Sequence, residues 1–210
     1  MDFLTIGPEG ADTAILLAHG AGAPMDSLAM TAAAEALATE GFRVIRFEFD
    51  YMAARRTGSR KPPPKAELLI PSYLAVVSSV KFSGKLIIGG KSMGGRVASM
   101  VADRLCADKG AAGLLCLGYP FHPPQKPEQL RTAHLRNLQI PALIAQGTRD
   151  PFGTRDEVKN YELSRSIEML WLEDGDHDLK PRKSVSGFTS ADHLLTMAAK
   201  TREWAQSLGS

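Results

Sequence analysis

Four places along this chain could do chemistry, and the sharpest is Gly90-Lys91-Ser92-Met93-Gly94. Leu86-Ile87-Ile88 ahead of it reads as a buried strand, and the stretch from Val97 to Val101 behind it as the start of a helix. Gly-x-Ser-x-Gly between strand and helix puts a serine hydroxyl at the point of a very tight turn. The flanking glycines spare that turn the side-chain clashes of a close approach. A serine hydroxyl attacks poorly at neutral pH and needs a base within hydrogen-bond reach. The other three places supply candidates: His19-Gly20-Ala21-Gly22, Gly147-Thr148-Arg149-Asp150 and Gly175-Asp176-His177. Each follows a short apolar run.

Those runs are the elements that must position the chemistry. Ala14 to Ala18, Phe42 to Phe49, Leu86 to Ile88, Gly113 to Gly118, Pro141 to Gly147 and Ile167 to Leu172 read as strands. They are nearly continuous apolar segments, as expected when both faces are covered. Helices are expected over Asp26 to Glu40, Pro71 to Val80, Ser92 to about Ala107, and from Thr189 onward with Thr189 as N-cap. A short amphipathic segment is expected around Leu130 to Leu138 and a short helix from Glu157 to Leu163. Asp50 to Glu67, with Pro62-Pro63-Pro64 inside it, reads as a loop. Strand and helix alternate throughout, which predicts a doubly wound α/β architecture, a mostly parallel sheet flanked by helices. In such sheets the site lies at the carboxyl ends of the strands.

Composition sets the outer bounds. At 210 residues, 44% hydrophobic and 23% charged, the chain fits one soluble globular domain over residues 1–210. A net charge of +2 is too small by itself to argue for nucleic acid, and aromatics for base stacking are not interleaved with the basic residues, so no nucleic acid partner is expected. No stretch is long enough to span a membrane, and the first residues carry no basic leader, so a cytoplasmic location is expected. Cys106 and Cys116 read as buried thiols in a reducing compartment. The sequence leaves the oligomeric state open.

A serine, an acid and a histidine arrive at strand ends in the order Ser92, Asp150, His177. In that order, and in the elbow, the chain resembles the α/β-hydrolase superfamily. Within it the chain is similar to the small, capless, dienelactone-hydrolase-like enzymes, and to predicted hydrolases with Gly-Lys-Ser-Met-Gly-Gly-Arg at the elbow. The resemblance covers about Ile15 to Leu208 and implies a minimal fold without a large cap. It implies Ser92 as nucleophile, His177 as base and Asp150 as the acid that orients it. The oxyanion donors would be the backbone N–H of Met93 and one from the His-Gly turn, Ala21 first and Gly22 as alternate. Dienelactone hydrolases carry a cysteine at the elbow, so Ser92 keeps the reaction class and separates the substrate. The expected activity is hydrolysis of an ester, thioester or related acyl bond of a small molecule, with no cofactor and no metal. The competing expectation is a non-catalytic interaction module on the same scaffold.

Other readings of the same residues are weaker. A phosphate-binding loop ending in Gly90-Lys91-Ser92 would need a glycine where Lys85 stands. A dinucleotide fingerprint at Gly20-Ala21-Gly22 would need its third glycine at Met25. Asp174 and Asp176 are too near His177 in sequence to reach it from another strand, and no acid lies between Gly118 and Glu128. His19 reads as structural; His134 and His193 read as surface or packing residues on helices. Tyr51, Arg55, Arg56, Lys91 and His122 are the candidate substrate contacts. The first three lie in a basic stretch with Arg60, Lys61 and Lys65 that could meet a carboxylate or phosphate.

Overall fold

Odd and even positions along a strand face opposite ways, and this chain makes both apolar. In the run from Ala14 to Ala18, Ile15 and Leu17 enter one core cluster while Ala14, Leu16 and Ala18 enter the other. Each fully buried leucine or isoleucine there contributes roughly 1.5–3 kcal/mol. The computed structural model describes residues 2–58 and 61–209; Arg60 of the basic stretch lies outside the described residues.

The strands are β1 (Phe3–Ile6), β2 (Thr13–Ala18), β3 (Arg43–Phe47), β4 (Lys85–Lys91), β5 (Ala111–Leu117), β6 (Ala142–Gly147) and β7 (Ile167–Leu172). They form a seven-stranded sheet in the order β1-β3-β2-β4-β5-β6-β7. Every neighbouring pair is parallel except β1 with β3, which run antiparallel with Phe3 opposite Phe47. The sequence reading missed β1, a short edge strand of half-exposed residues with no buried run to mark it. The order reverses at β2, so a crevice opens at the carboxyl ends of β2 and β4.

The helices are α1 (Leu28–Thr39), α2 (Asp50–Arg56), α3 (Ile70–Ser79), α4 (Met93–Lys109), α5 (Arg155–Val158), α6 (Lys183–Ser186) and α7 (Ser190–Ser207). α1 and α7 cover one face through Met30, Leu37, Met197 and Trp204. α3 and α4 cover the other through Tyr73, Val77, Val97, Val101 and Leu105. Thr189 caps α7, its hydroxyl accepting from the Asp192 N–H while the Asp192 carboxylate accepts from the Thr189 N–H. Among the described residues no segment builds a large cap over the crevice, and no helix is long and apolar enough to cross a membrane.

Three segments differ from expectation. The stretch read as a loop opens with α2 and closes with a 3-10 turn, Ala66–Leu69, because only its middle holds the prolines. The short helix is α5, set earlier by a capping box in which Thr154 and Glu157 satisfy each other. Leu130 to Leu138 forms turns instead of a helix, with Leu135 and Leu138 buried. Cys106 is exposed on the outer side of α4, and only Cys116 is a buried thiol.

Candidate active site

Ser92 joins β4 to α4 with φ 51° and ψ −117°, a left-handed conformation rare for a residue with a side chain. Such backbone costs about 1–3 kcal/mol and persists only where its surroundings hold it. Here the Ser92 N–H donates to the Leu117 carbonyl at 3.0 Å and the Ser92 carbonyl accepts from the Arg96 N–H at 3.0 Å. The glycines answer a steric demand. A Cβ on Gly94 would stand 2.6 Å from the carbonyl oxygens of both Ala18 and His19. α4 therefore begins against the end of β2, with its first N–H groups free of helical partners.

Asp150 follows β6 and is fully buried. One of its oxygens accepts from the Phe152 N–H at 2.8 Å. The other accepts from Gln146 Nε2 at 2.9 Å and from His177 Nδ1 at 2.8 Å. A carboxylate on Nδ1 keeps that nitrogen protonated and leaves Nε2 to accept. Nε2 lies 2.7 Å from Ser92 Oγ. Phe152 stacks on the His177 ring with centroids 4.1 Å apart. Ser92, His177 and Asp150, which the sequence places 58 and 27 residues from one another in chain order Ser-Asp-His, thus form one hydrogen-bonded row.

The loop from β7 that carries His177 is tied on both sides. Lys91 Nζ donates to the His177 carbonyl at 2.6 Å and pairs with Asp178 at 3.2 Å. Burial pushes the Lys91 ammonium down in pKa while Asp178 opposes that shift. Arg182 and Arg149 hold Asp174 from the opposite side. His193 of α7 donates from Nδ1 to the Leu179 carbonyl at 2.8 Å.

His19 is fully buried and sets the turn after β2. Its Nδ1 donates to the Gly20 carbonyl at 2.6 Å and its Nε2 accepts from the Phe49 N–H at 3.1 Å. Burial lowers its pKa, consistent with a neutral ring in that pattern. Tyr51 donates to the Ala21 carbonyl at 3.2 Å. The turn so braced leaves Ala21 lining the same cavity as Ser92 and Met93.

The crevice divides at Ser92. One side is a cavity of about 430 Å³ walled by Ala21, Lys65, Glu67, Met93, Arg96 and Arg131. The other, about 270 Å³, is walled by Gly22, Ala23, Ala29, Met30, Lys91 and His177. Phe152 and Ala21 reach both. Among the described residues no group of three or more His, Cys, Asp or Glu could hold a metal ion.

Most of the expected substrate contacts face elsewhere. Tyr51 braces the turn from behind, and Arg55 lies over the Tyr51 ring at 5.5 Å and donates to the Lys61 carbonyl. Arg56 is taken up by Glu48 at 2.6 Å and Asp26 at 2.8 Å. His122 is buried, its Nδ1 donating to the Pro123 carbonyl and its Nε2 3.6 Å from Glu157. None of the four lines the crevice. Lys91 does, but its ammonium serves the His177 loop. His134 sits in a turn, not a helix, with Nε2 2.8 Å from Ser99 Oγ; burial, helped by Arg96, holds its pKa down to about 4. The residues the sequence reading missed are Gln146, Phe152, Arg96 and Arg131. Gln146 alone carried a signal, an amide within the apolar run of β6.

A minimal doubly wound sheet with a strained serine turn beside a buried acid and a histidine defines the α/β-hydrolase fold. The chain belongs to the alpha/beta hydrolase domain family, whose model matches residues 11–206. Membership of that family supports a hydrolase. Among solved structures, a dienelactone hydrolase from Anabaena variabilis superposes with a TM-score of 0.72 at 19% identity, covering 99% of this chain and 92% of that one. Est1E from Butyrivibrio proteoclasticus, solved with ferulic acid, gives 0.67 at 14% identity, with 99% and 94% covered. A thermophilic esterase from Thermogutta terrifontis, solved with malate, gives 0.67 at 18% identity, with 100% and 94% covered. At these identities the likeness is one of fold.

Proposed function

We propose that the protein is a serine hydrolase that cleaves an ester, thioester or related acyl bond of a small molecule through an acyl-enzyme on Ser92. The observation that carries this is the row Asp150–His177–Ser92, with contacts of 2.8 and 2.7 Å, ending at the strained turn. His177 Nε2 takes the Ser92 proton as Oγ bonds to the acyl carbon. It returns that proton to the departing alkoxide or thiolate as the old bond breaks. Water then gives a proton to His177 and its oxygen to the acyl carbon, and the Ser92 oxygen leaves and is reprotonated. Asp150 stabilises the charged imidazole in both halves. The N–H groups of Met93 and Ala21, with Gly22 as alternate, serve as the oxyanion donors, each worth about 3–4 kcal/mol of barrier. No cofactor enters these steps. The free thiols Cys106 and Cys116 fit a reducing, cytoplasmic setting.

A fluorophosphonate probe tests the reading. Wild-type protein is expected to label and Ser92→Ala to remain blank. p-Nitrophenyl ester hydrolysis is expected to fall about 10⁴-fold or more in Ser92→Ala and His177→Ala, since members of such a row act as a unit. Equal labelling of wild type and Ser92→Ala would favour the non-catalytic module instead.

A further inference from the structure

We propose that the larger cavity beside Ser92 takes an acyl group bearing its own carboxylate, which Arg131 binds together with Arg96 and Lys65. This rests on the hydrolase reading above and adds a substrate class to it.

The crevice has a direction. A leaving group must sit within reach of the nitrogen that protonates it. His177 lines only the smaller side, with Ala23, Ala29 and Met30. The acyl chain therefore extends the other way, past Met93 and toward Arg96. Arg96 stands four residues beyond Ser92, one turn of α4 and about 6 Å along its axis. A chain of a few methylenes spans that gap.

The wall it meets is unbalanced in charge. Lys65, Arg96 and Arg131 line the cavity against one carboxylate, Glu67. Glu67 is taken up by Arg96 Nη2 at 2.6 Å. Among the described residues, neither the Arg131 guanidinium nor the Lys65 ammonium has an ion-pair partner. The backbone of Arg131 is fixed, its N–H donating to Phe121 at 2.7 Å and its carbonyl accepting from Tyr119 Oη at 3.0 Å. Burial and the neighbouring Arg96 both depress the Arg131 guanidinium pKa. The Arg131 guanidinium, without an anion of its own and crowded by Arg96, is satisfied by a carboxylate, which accepts a forked pair of bonds from one arginine.

The test compares kcat/KM for p-nitrophenyl hydrogen adipate and p-nitrophenyl hexanoate, equal in chain length, with Ser92→Ala as the background rate. Wild type is expected to prefer the adipate ester by about tenfold or more, the size of one charge-assisted hydrogen bond. Arg131→Gln is expected to lose that preference through a higher KM for the adipate ester. Arg104→Gln, an exposed residue toward the far end of α4, is expected to retain it. Arg131→Lys, which keeps charge but loses the fork, is expected to fall between. Turnover of both esters without preference in wild type, or a preference that survives in Arg131→Gln, would overturn the carboxylate site alone. The wild-type comparison stands even where a variant fails to fold. No turnover of either ester, with labelling independent of Ser92, would overturn the hydrolase reading and this site with it.

Discussion

Lys91 stands next to Ser92 in sequence, yet its ammonium reaches back to the carbonyl of His177 at 2.6 Å and to Asp178 at 3.2 Å. From the wall of the crevice it is placed to hold the backbone that carries the imidazole. Lys91→Met keeps the apolar stem and removes the tether. The expected result is a kcat lower by about 10- to 100-fold with KM changed about twofold or less, because small displacements of a reacting group are costly. An unchanged kcat would sink the positioning role. Nothing in the sequence marks this contact, since the acceptor is a backbone oxygen 86 residues away. Ser92, Asp150 and His177 stood out because each is a reactive side chain just past an apolar run, beside a glycine or a tight turn. Gln146 was readable by the same logic, as the one amide in a buried strand. Arg96 and Arg131 were not, because what distinguishes them is the cavity they share, and a cavity is made by chain segments far apart in sequence.

At the scale of elements, the loop after β7 is the least regular part of the site and the most heavily tied by charge. Asp174 accepts from the Arg182 guanidinium and backbone N–H, and Arg149 lies 3.4 Å away. Arg182 first, then Arg149, hold the Asp174 carboxyl down to about 2 from the ordinary 3.8. A carboxyl depressed on folding contributes stability in full above its ordinary pKa and loses it as pH falls through the depressed one. The window therefore runs from about pH 4 to about pH 2. Asp26 and Glu48 shift the same way beside Arg56, so wild type has several sources of acid sensitivity. Asp174→Asn is expected to lower Tm at neutral pH and to show a shallower fall in Tm across that window. Parallel curves for the two proteins would remove Asp174 as a source. The elements that the sequence concealed are short: β1, α2 and α6 each have seven residues or fewer. Such pieces carry no more than two full periods of pattern. α5 was expected but placed too late; its true start had a mark, Thr154 followed three residues later by Glu157, a capping box the apolar pattern overshadowed. α2 was hidden by the prolines downstream of it, although Met, Ala and Arg favour helix there.

At the scale of the molecule, the alternation of long apolar runs with helical stretches was enough to give a parallel sheet covered on both faces. What it could not give is how strongly the two faces depend on each other. They share β2 to β6, whose residues divide between one cluster and the other. At 210 residues the chain exceeds the ~150 within which two-state unfolding is usual. A single transition at this length requires the two faces to be coupled, and the strands they share are the elements able to couple them. The two tryptophans report on the two faces separately. Trp171 on β7 packs against the cluster under α3 and α4, and Trp204 on α7 belongs to the other. The Trp204 ring lies over β5 so closely that a Cβ on Gly113 would meet it at 2.6 Å. In Trp204→Phe the fluorescence follows one face, and in Trp171→Phe it follows the other. Within each variant, the guanidinium midpoint by fluorescence is expected to coincide with the midpoint by far-UV circular dichroism. A fluorescence transition that precedes the loss of helix in either variant would mean that one layer leaves the sheet first, and that residues 11–206 do not unfold as one unit.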